Sequence, residues 1–323
     1  MIFSSIYILM YSPIKVKHFK KSQINDVPIT KEFIREILSQ TAEECPFSTF
    51  PYVFDLNSTE ANKRHHTGNC VTLSMYLKDK LKKHNIKSIL IPASIPKIYS
   101  HPDYLNISHV AVAILLNLDD AFICDPAFYF MEPMEISAKS NLSSEILSKD
   151  IYNDVPETFI YNLEYQPEDD VLNDFQTIPG PSFHVKTRKQ NDLDDVWNYY
   201  LMEITNPDKA ISSFFMSVKQ YPFITCMNKN FEMTLYIKFL DNNTLSIKHG
   251  KELLFQGNPT DIPDPIIEII QPCMQKHFGN SYEKFFNLPD HVGSKIYKIK
   301  DSPKVKKSTK TKKLSKIPLR PIP

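Results

Sequence analysis

Glycine is scarce in this chain: six residues in 323, against 24 prolines. Chain reversals must therefore fall largely to Asn, Asp and Pro. Cysteine is thin as well, with Cys45, Cys70, Cys124, Cys226 and Cys273 scattered, odd in number and without a C-x-x-C pair. That pattern speaks against a disulfide scaffold and a zinc knuckle, and points to a reducing, cytoplasmic setting. An excess of one charge is also missing. Lys and Arg total 38, Asp and Glu 37, a net charge of +1, so nothing global suits the chain to nucleic acid or a membrane surface. Residues 1–12, M-I-F-S-S-I-Y-I-L-M-Y-S, are apolar but too short to span a bilayer. They lack the basic start and small-residue cleavage site of a signal peptide. They read as a buried or interfacial arm, or as the product of a start codon upstream of the true one at Met10. No internal repeat is visible. His65 and His66 adjoin, but no second pair completes a ligand set, so no metal is expected. They read instead as lining the mouth of a site.

What is present is 42% apolar and 12% aromatic residues, ample for a core and two or three subdomains. The chain is organised around the stretch Arg64 to Pro126. R-H-H-T-G-N-C-V-T-L-S-M-Y-L reads as a turn at Gly68 and Asn69 followed by a helix beginning at Cys70. Leu73, Tyr76, Leu77 and Leu81 recur at helical spacing, and Lys78, Asp79, Lys82 and Lys83 take the outer face. Cys70 belongs to the buried stripe at the amino end, where the helix dipole favours thiolate. I-S-H-V-A-V-A-I-L-L and A-F-I-C-D-P then read as two strands closed over Asn117 to Asp120. His109 and Asp125 share a face only if the loop holds an odd number of residues, three or five. That face is otherwise small (Ala111, Ala113, Ala121), so a helix packing on it would bring Cys70 onto His109.

Singly, each residue has a plainer reading. Buried free cysteines are usually inert, and a histidine on a strand is commonly a satisfied core polar group. Jointly, helix start, strand and next strand are the placements that a nucleophile, a base and an orienting carboxylate require. Cys70, His109 and Asp125 are the candidate catalytic residues.

These three, in this order and spacing, resemble the arylamine N-acetyltransferases and, more broadly, the transglutaminase-like and papain-like cysteine enzymes. F-I-R-E-I-L-S-Q-T-A-E-E-C-P-F-S-T-F is similar to the helix and Pro-Phe segment ahead of the family's cysteine, and D-P-A-F-Y-F-M-E-P to the loop after its aspartate. The resemblance covers about residues 25 to 255. It implies an α+β fold with a helical N-terminal part and an antiparallel β-barrel or sheet. It further implies acetyl-CoA as co-substrate and a small-molecule amine as acceptor. Two departures stand out. Where the family has Arg-Gly-Gly-x-Cys, this chain has His66-Thr67-Gly68-Asn69-Cys70; where the family has a glycine-rich loop, it has Phe128-Tyr129-Phe130-Met131. Backbone amides cradle phosphate best where no side chain blocks them.

In chain order, a helix is expected over Thr30 to Glu44, ended by Pro46, then an aromatic connector through Phe47, Phe50, Tyr52 and Phe54. A short strand follows at Ser88 to Pro92, and a loop to Leu105 that is placed to gate a site. Ser137 to Leu147 reads as short helix or loop. Strands are expected at Thr158 to Tyr165, Ser182 to Lys186, Val196 to Ile204, Glu232 to Leu240 and Thr244 to Lys248, with helices over Asp208 to Lys219 and Pro265 to His277. The domain reading is a helical N-terminal domain over 1–85, a β-domain with His and Asp over 86–205, an α/β lid-like region over 206–297 and a disordered basic tail over 298–323. That tail carries ten Lys or Arg against one Asp. It reads equally as an electrostatic anchor for nucleic acid or another acidic partner, or as a solubilising extension.

Three functions compete: a thiol acyltransferase working by an acyl-cysteine and ping-pong kinetics, a transglutaminase-like amidase, peptidase or cross-linker, and a non-catalytic scaffold. The first is the expectation.

Overall fold

The computed structural model describes residues 21–54, 56–94, 109–117, 120–137, 144–150, 155–166, 182–189, 196–204, 207, 222–240 and 244–279. The apolar stretch at 1–12, most of the loop expected to gate a site after Pro92, the helix expected over Asp208 to Lys219, and the basic tail lie outside them. Among the described residues no helix is long and apolar enough to cross a membrane.

The fold is α+β, with two antiparallel sheets. Helix α1, Lys31–Glu44, starts where expected: Thr30 accepts a hydrogen bond from the Phe33 N–H, and Glu32 lies in the first turn. Its buried side is Ile34, Ile37, Leu38, Thr41 and Ala42, while Phe33 turns outward against His84. The aromatic connector is more ordered than its sequence suggests. It forms a two-residue strand β1, Phe47–Ser48, and a single turn α2, Phe50–Val53, and is followed by α3, Ser58–His65. Asn57 and Glu60 close a reciprocal capping box at the start of α3. Helix α4 runs Cys70–Lys83, with Leu73, Leu77 and Leu81 fully buried. Each such leucine contributes about 1.5–3 kcal/mol by leaving water.

Strands β2 (Ile89–Ser94), β3 (His109–Leu115), β4 (Asp120–Cys124) and β5 (Met134–Ser137) follow as antiparallel neighbours. The larger sheet adds β6 (Ser144–Asp150), β7 (Val155–Gln166), β8 (Ser182–Lys189) and β9 (Val196–Tyr200), in the order β5-β4-β3-β2-β9-β8-β7-β6. β6 corrects the expectation of helix or loop before Leu147. Its seven residues pair along β7, from Ser144 opposite Tyr161 to Asp150 opposite Val155, so cross-strand pairing overrides a weak local pattern. The order is open, with β5 and β6 at its ends, so among the described residues this is a sheet and not a closed barrel. The smaller sheet is β1-β10-β11-β12-β13, with β10 Phe223–Met227, β11 Met233–Phe239, β12 Leu245–His249 and β13 Glu252–Gly257. Helix α5, Asp264–Phe278, has its proline in the first turn as expected. It covers this sheet with Ile270, Met274 and Phe278, which pack with Phe50, Ile224, Ile237 and Ile247.

The two faces of β2–β4 carry different loads. Val110, Val112, Ile114, Phe122 and Cys124 pack with α1 and α4. Ala111, Ala113, Leu115, Ala121 and Ile123 pack with Phe130, Met134 and Tyr199. The sequence reading put the nucleophile helix on the small-residue face; it lies on the other. The alanines instead leave room for bulky aromatic side chains.

Candidate functional site

The setting of Cys70 begins with its cap. Asn69 stands just before α4 in extended backbone, and its Oδ1 accepts from the N–H groups of Val71 (3.1 Å) and Thr72 (3.4 Å) and from Ser58 Oγ (3.2 Å). The Leu73 N–H goes to the Asn69 carbonyl at 3.0 Å. Of the first four amides of the helix, only that of Cys70 is not engaged by Asn69. Behind the cap lies a buried hydroxyl cluster. Tyr52 Oη accepts from the Asn69 N–H at 2.9 Å and touches Thr72 Oγ1 at 3.0 Å and Ser58 Oγ at 3.3 Å. Burial pushes the Tyr52 phenol well up, so it stays a hydroxyl. Gly68 is required by this packing. A Cβ there would fall 2.3 Å from Thr72 Oγ1 and 2.7 Å from Tyr52 Oη. Gly68 is also tied to β1, accepting from the Ser48 N–H at 2.8 Å and donating to the Pro46 carbonyl at 3.3 Å.

His109 and Asp125 do share a face. Leu115 pairs with Ala121, so five residues, 116 to 120, intervene, an odd number as the register argument required. His109 Nε2 meets Asp125 Oδ2 at 2.6 Å; both residues are buried. Nε2 thus goes to the carboxylate, and the ring is also hydrogen-bonded to the Cys70 side chain. Burial works against a charged ring, but the carboxylate of Asp125 and the sulfur of Cys70 outweigh it and raise the imidazole pKa to about 10. Because His109 is the first residue of β3 and Cys70 the first of α4, the two meet at the element ends, although α4 packs on the opposite face of the sheet.

Asp125 is fully enclosed. Its Oδ2 also accepts from Tyr199 Oη at 2.7 Å, and its Oδ1 from the Phe128 N–H at 2.9 Å. Its backbone carbonyl accepts from the Phe130 N–H at 3.1 Å. Burial and the adjacent carboxylate push the Tyr199 phenol well above its ordinary range, so it remains a donor. The sequence reading did not single out Tyr199 and missed this role. Its only sequence signal was a buried phenol's need for a partner. Between the two amides that turn toward Asp125, Tyr129 adopts the left-handed backbone at φ 51°.

The remaining candidates fall elsewhere. His65 Nδ1 donates to the His277 carbonyl at 2.7 Å, and His277 Nδ1 donates to the His65 carbonyl at 3.1 Å, pinning α3 to α5. His66 ends α3 in the left-handed region and stacks edgewise on Tyr76. Among the described residues, no group of three His, Cys, Asp or Glu side chains stands where it could hold a metal ion. Cys45 and Cys124 are wholly buried, and desolvation keeps both as thiols.

No family model matches this sequence, and no curated protein matches it. Its structure is similar to solved arylamine N-acetyltransferases. One from Bacillus cereus, described as having a Cys-His-Glu catalytic triad, is 11% identical with a TM-score of 0.45, over 79% of this chain and 92% of that one. One from Mycobacterium smegmatis is 9% identical with a TM-score of 0.46, over 80% and 90%. One from Mycobacterium marinum, solved with CoA, is 10% identical with a TM-score of 0.45, over 79% and 88%. Likeness at this level concerns the fold and says nothing of residues or reaction.

Proposed function

We propose that the protein is a thiol acyltransferase. Cys70 takes an acyl group, acetyl in the simplest case, from a coenzyme A thioester and passes it to a small-molecule amine. The observation that supports this reading is the buried relay from Cys70 through His109 to Asp125, with the sulfur at a capped helix start. In the first half-reaction the Cys70 thiolate attacks the thioester carbonyl. A bond forms between its sulfur and the carbonyl carbon, and the bond to the coenzyme's sulfur breaks. The leaving thiolate takes the proton held on His109. In the second half-reaction the amine attacks the acyl-cysteine, and the ring, now neutral, accepts the amine's proton as the Cys70 sulfur leaves. Asp125 holds the ring with Nδ1 toward the sulfur and stabilises its cation. The Cys70 N–H is the donor aimed at the developing oxyanion. No step uses a metal.

A second reading, an amidase or peptidase working through the same relay, is favoured by one observation. The amides of Phe128 and Phe130 are taken up by Asp125 and so are not free to cradle phosphates where a glycine-rich loop would. Intact-mass measurement after incubation with acetyl-CoA separates the two. One added acetyl group, lost in Cys70→Ala and discharged by an arylamine, is the expected result. Failure of Cys70 to acetylate, together with release of ammonia from glutamine peptides, would move the assignment to the amidase.

A further inference from the structure

Two of the scattered cysteines meet. Cys226 on β10 and Cys273 on α5, 47 positions apart, bring their sulfurs to 2.9 Å while both remain free thiols. A disulfide bond is about 2.05 Å long, so the two sulfurs stand within about 1 Å of bonding distance. The pair is also chemically unequal. Cys226 is buried, whereas Cys273 is partly open. The hydrogen bond from Cys226 lowers the Cys273 pKa against the effect of burial, and Lys276, three residues on along α5, lowers it further.

We propose that Cys226 and Cys273 are a reversible disulfide site, with Cys273 as the peroxide-reactive thiol and Cys226 as the resolving one. The Cys273 thiolate attacks a hydroperoxide oxygen: a sulfur–oxygen bond forms, the oxygen–oxygen bond breaks, and the leaving oxygen takes up the proton that the Cys273 thiol released on ionising, departing as water or an alcohol. Cys226 sulfur then attacks the sulfenic sulfur of Cys273. The sulfur–sulfur bond forms, the sulfur–oxygen bond breaks, and the Cys226 proton leaves with the hydroxide as water. Two thiols lose two hydrogens, and one hydroperoxide is reduced.

The bond would join the two supports of the segment ahead of Cys70. β10 pairs with β1, and β1 holds Gly68. α5 holds His65 through His277. The inference stands on this pair's own geometry and does not depend on the acyltransferase reading.

The test uses the full chain carrying Cys70→Ala, so that the site's own thiol does not compete. After brief treatment with hydrogen peroxide, the expected result is a mass lower by two hydrogens, reversed by dithiothreitol. A 226–273 linked peptide should appear in a non-reducing digest, with a melting temperature raised by about 5 °C. Cys273→Ser should abolish the mass loss, whereas Cys226→Ser should leave sulfenic acid that a dimedone probe captures at residue 273. A linkage between any other cysteines, or a chain that keeps both thiols while peroxide is consumed elsewhere, overturns the proposal. Because linkage is read on peptides, a variant that folds poorly does not obscure the result.

Discussion

Tyr199 and His109 converge on a single atom. Oδ2 of Asp125 accepts from the phenol at 2.7 Å and from the imidazole at 2.6 Å. The carboxylate that orients the ring is therefore itself held in place from across the sheet, by a residue on β9.

The first prediction tests that support. Tyr199→Phe removes a donor to a buried carboxylate and keeps the ring that fills the space. We expect the acylation rate of Cys70 to fall by about 10- to 100-fold, the usual cost of losing a partner that orients a first ligand or base. Stability should drop by about 1.5–3 kcal/mol. Single-turnover kinetics with acetyl-CoA and urea unfolding measure the two; an unchanged acylation rate would confine Tyr199 to packing.

A second prediction concerns pH. The His109 pKa is raised from 6.5 to about 10. The imidazolium therefore adds stability in full below pH 6.5, and that contribution declines as pH rises, disappearing near pH 10. The stability difference between wild type and His109→Gln, from urea titrations at pH 6 to 10, should shrink with increasing pH. A difference independent of pH would mean that the ring is neutral in the folded protein.

Gly68→Ala tests the packing behind Cys70. The added methyl meets Thr72 Oγ1 and Tyr52 Oη at distances that no real contact sustains. We expect a destabilisation of about 1–3 kcal/mol and slower alkylation of Cys70 by iodoacetamide, because the Asn69 cap shifts. Thr72→Ala should partly rescue both, since it removes Oγ1, the atom nearest the added methyl; simple additivity of the two changes would show that Thr72 is not what Gly68 accommodates.

Acid should act through the opposite pair of helices. Burial, and to a lesser degree Lys276, hold the His277 pKa down at about 4, from 6.5. A depressed histidine contributes stability that is present above pH 6.5 and lost as pH falls toward 4. The urea midpoint should fall across that window, and less steeply in His277→Asn; equal slopes would place the acid-labile group elsewhere.

Much of this was legible in the residues. Thr30, Glu32 and the Ile34–Leu38 stripe mark α1 directly, and the leucines of α4 recur at helical spacing whatever their neighbours. Parity set the condition under which His109 and Asp125 share a face, an odd number of intervening residues, and the pairing of Leu115 with Ala121 meets it. What was not legible depended on contacts over long separations. Tyr199 lies 74 positions from Asp125, and V-W-N-Y-Y offers adjacent tyrosines that face opposite ways. Ala111, Ala113 and Ala121 specify space without saying what fills it, so they suited a helix as well as the aromatic side chains that are there. β10, F-I-T-C-M, is buried at four of its five residues and so shows no alternation to read. β6, S-E-I-L-S-K-D, lacked it for the opposite reason, being mostly polar, and β13, E-L-L-F-Q-G, groups its apolar residues in one run.

The pairing of β9 with β2, Tyr199 opposite Ala93, carries a consequence for synthesis. On the ribosome, sulfur, imidazole and carboxylate all emerge some seventy residues before the phenol that completes their enclosure. Chains advance at about 5–20 residues per second, so the nascent protein spends seconds with its acidic member unshielded. Completion of that enclosure thus waits on the arrival of a distant strand, and a polypeptide truncated before residue 196 should carry Cys70, His109 and Asp125 without the phenol that steadies the carboxylate.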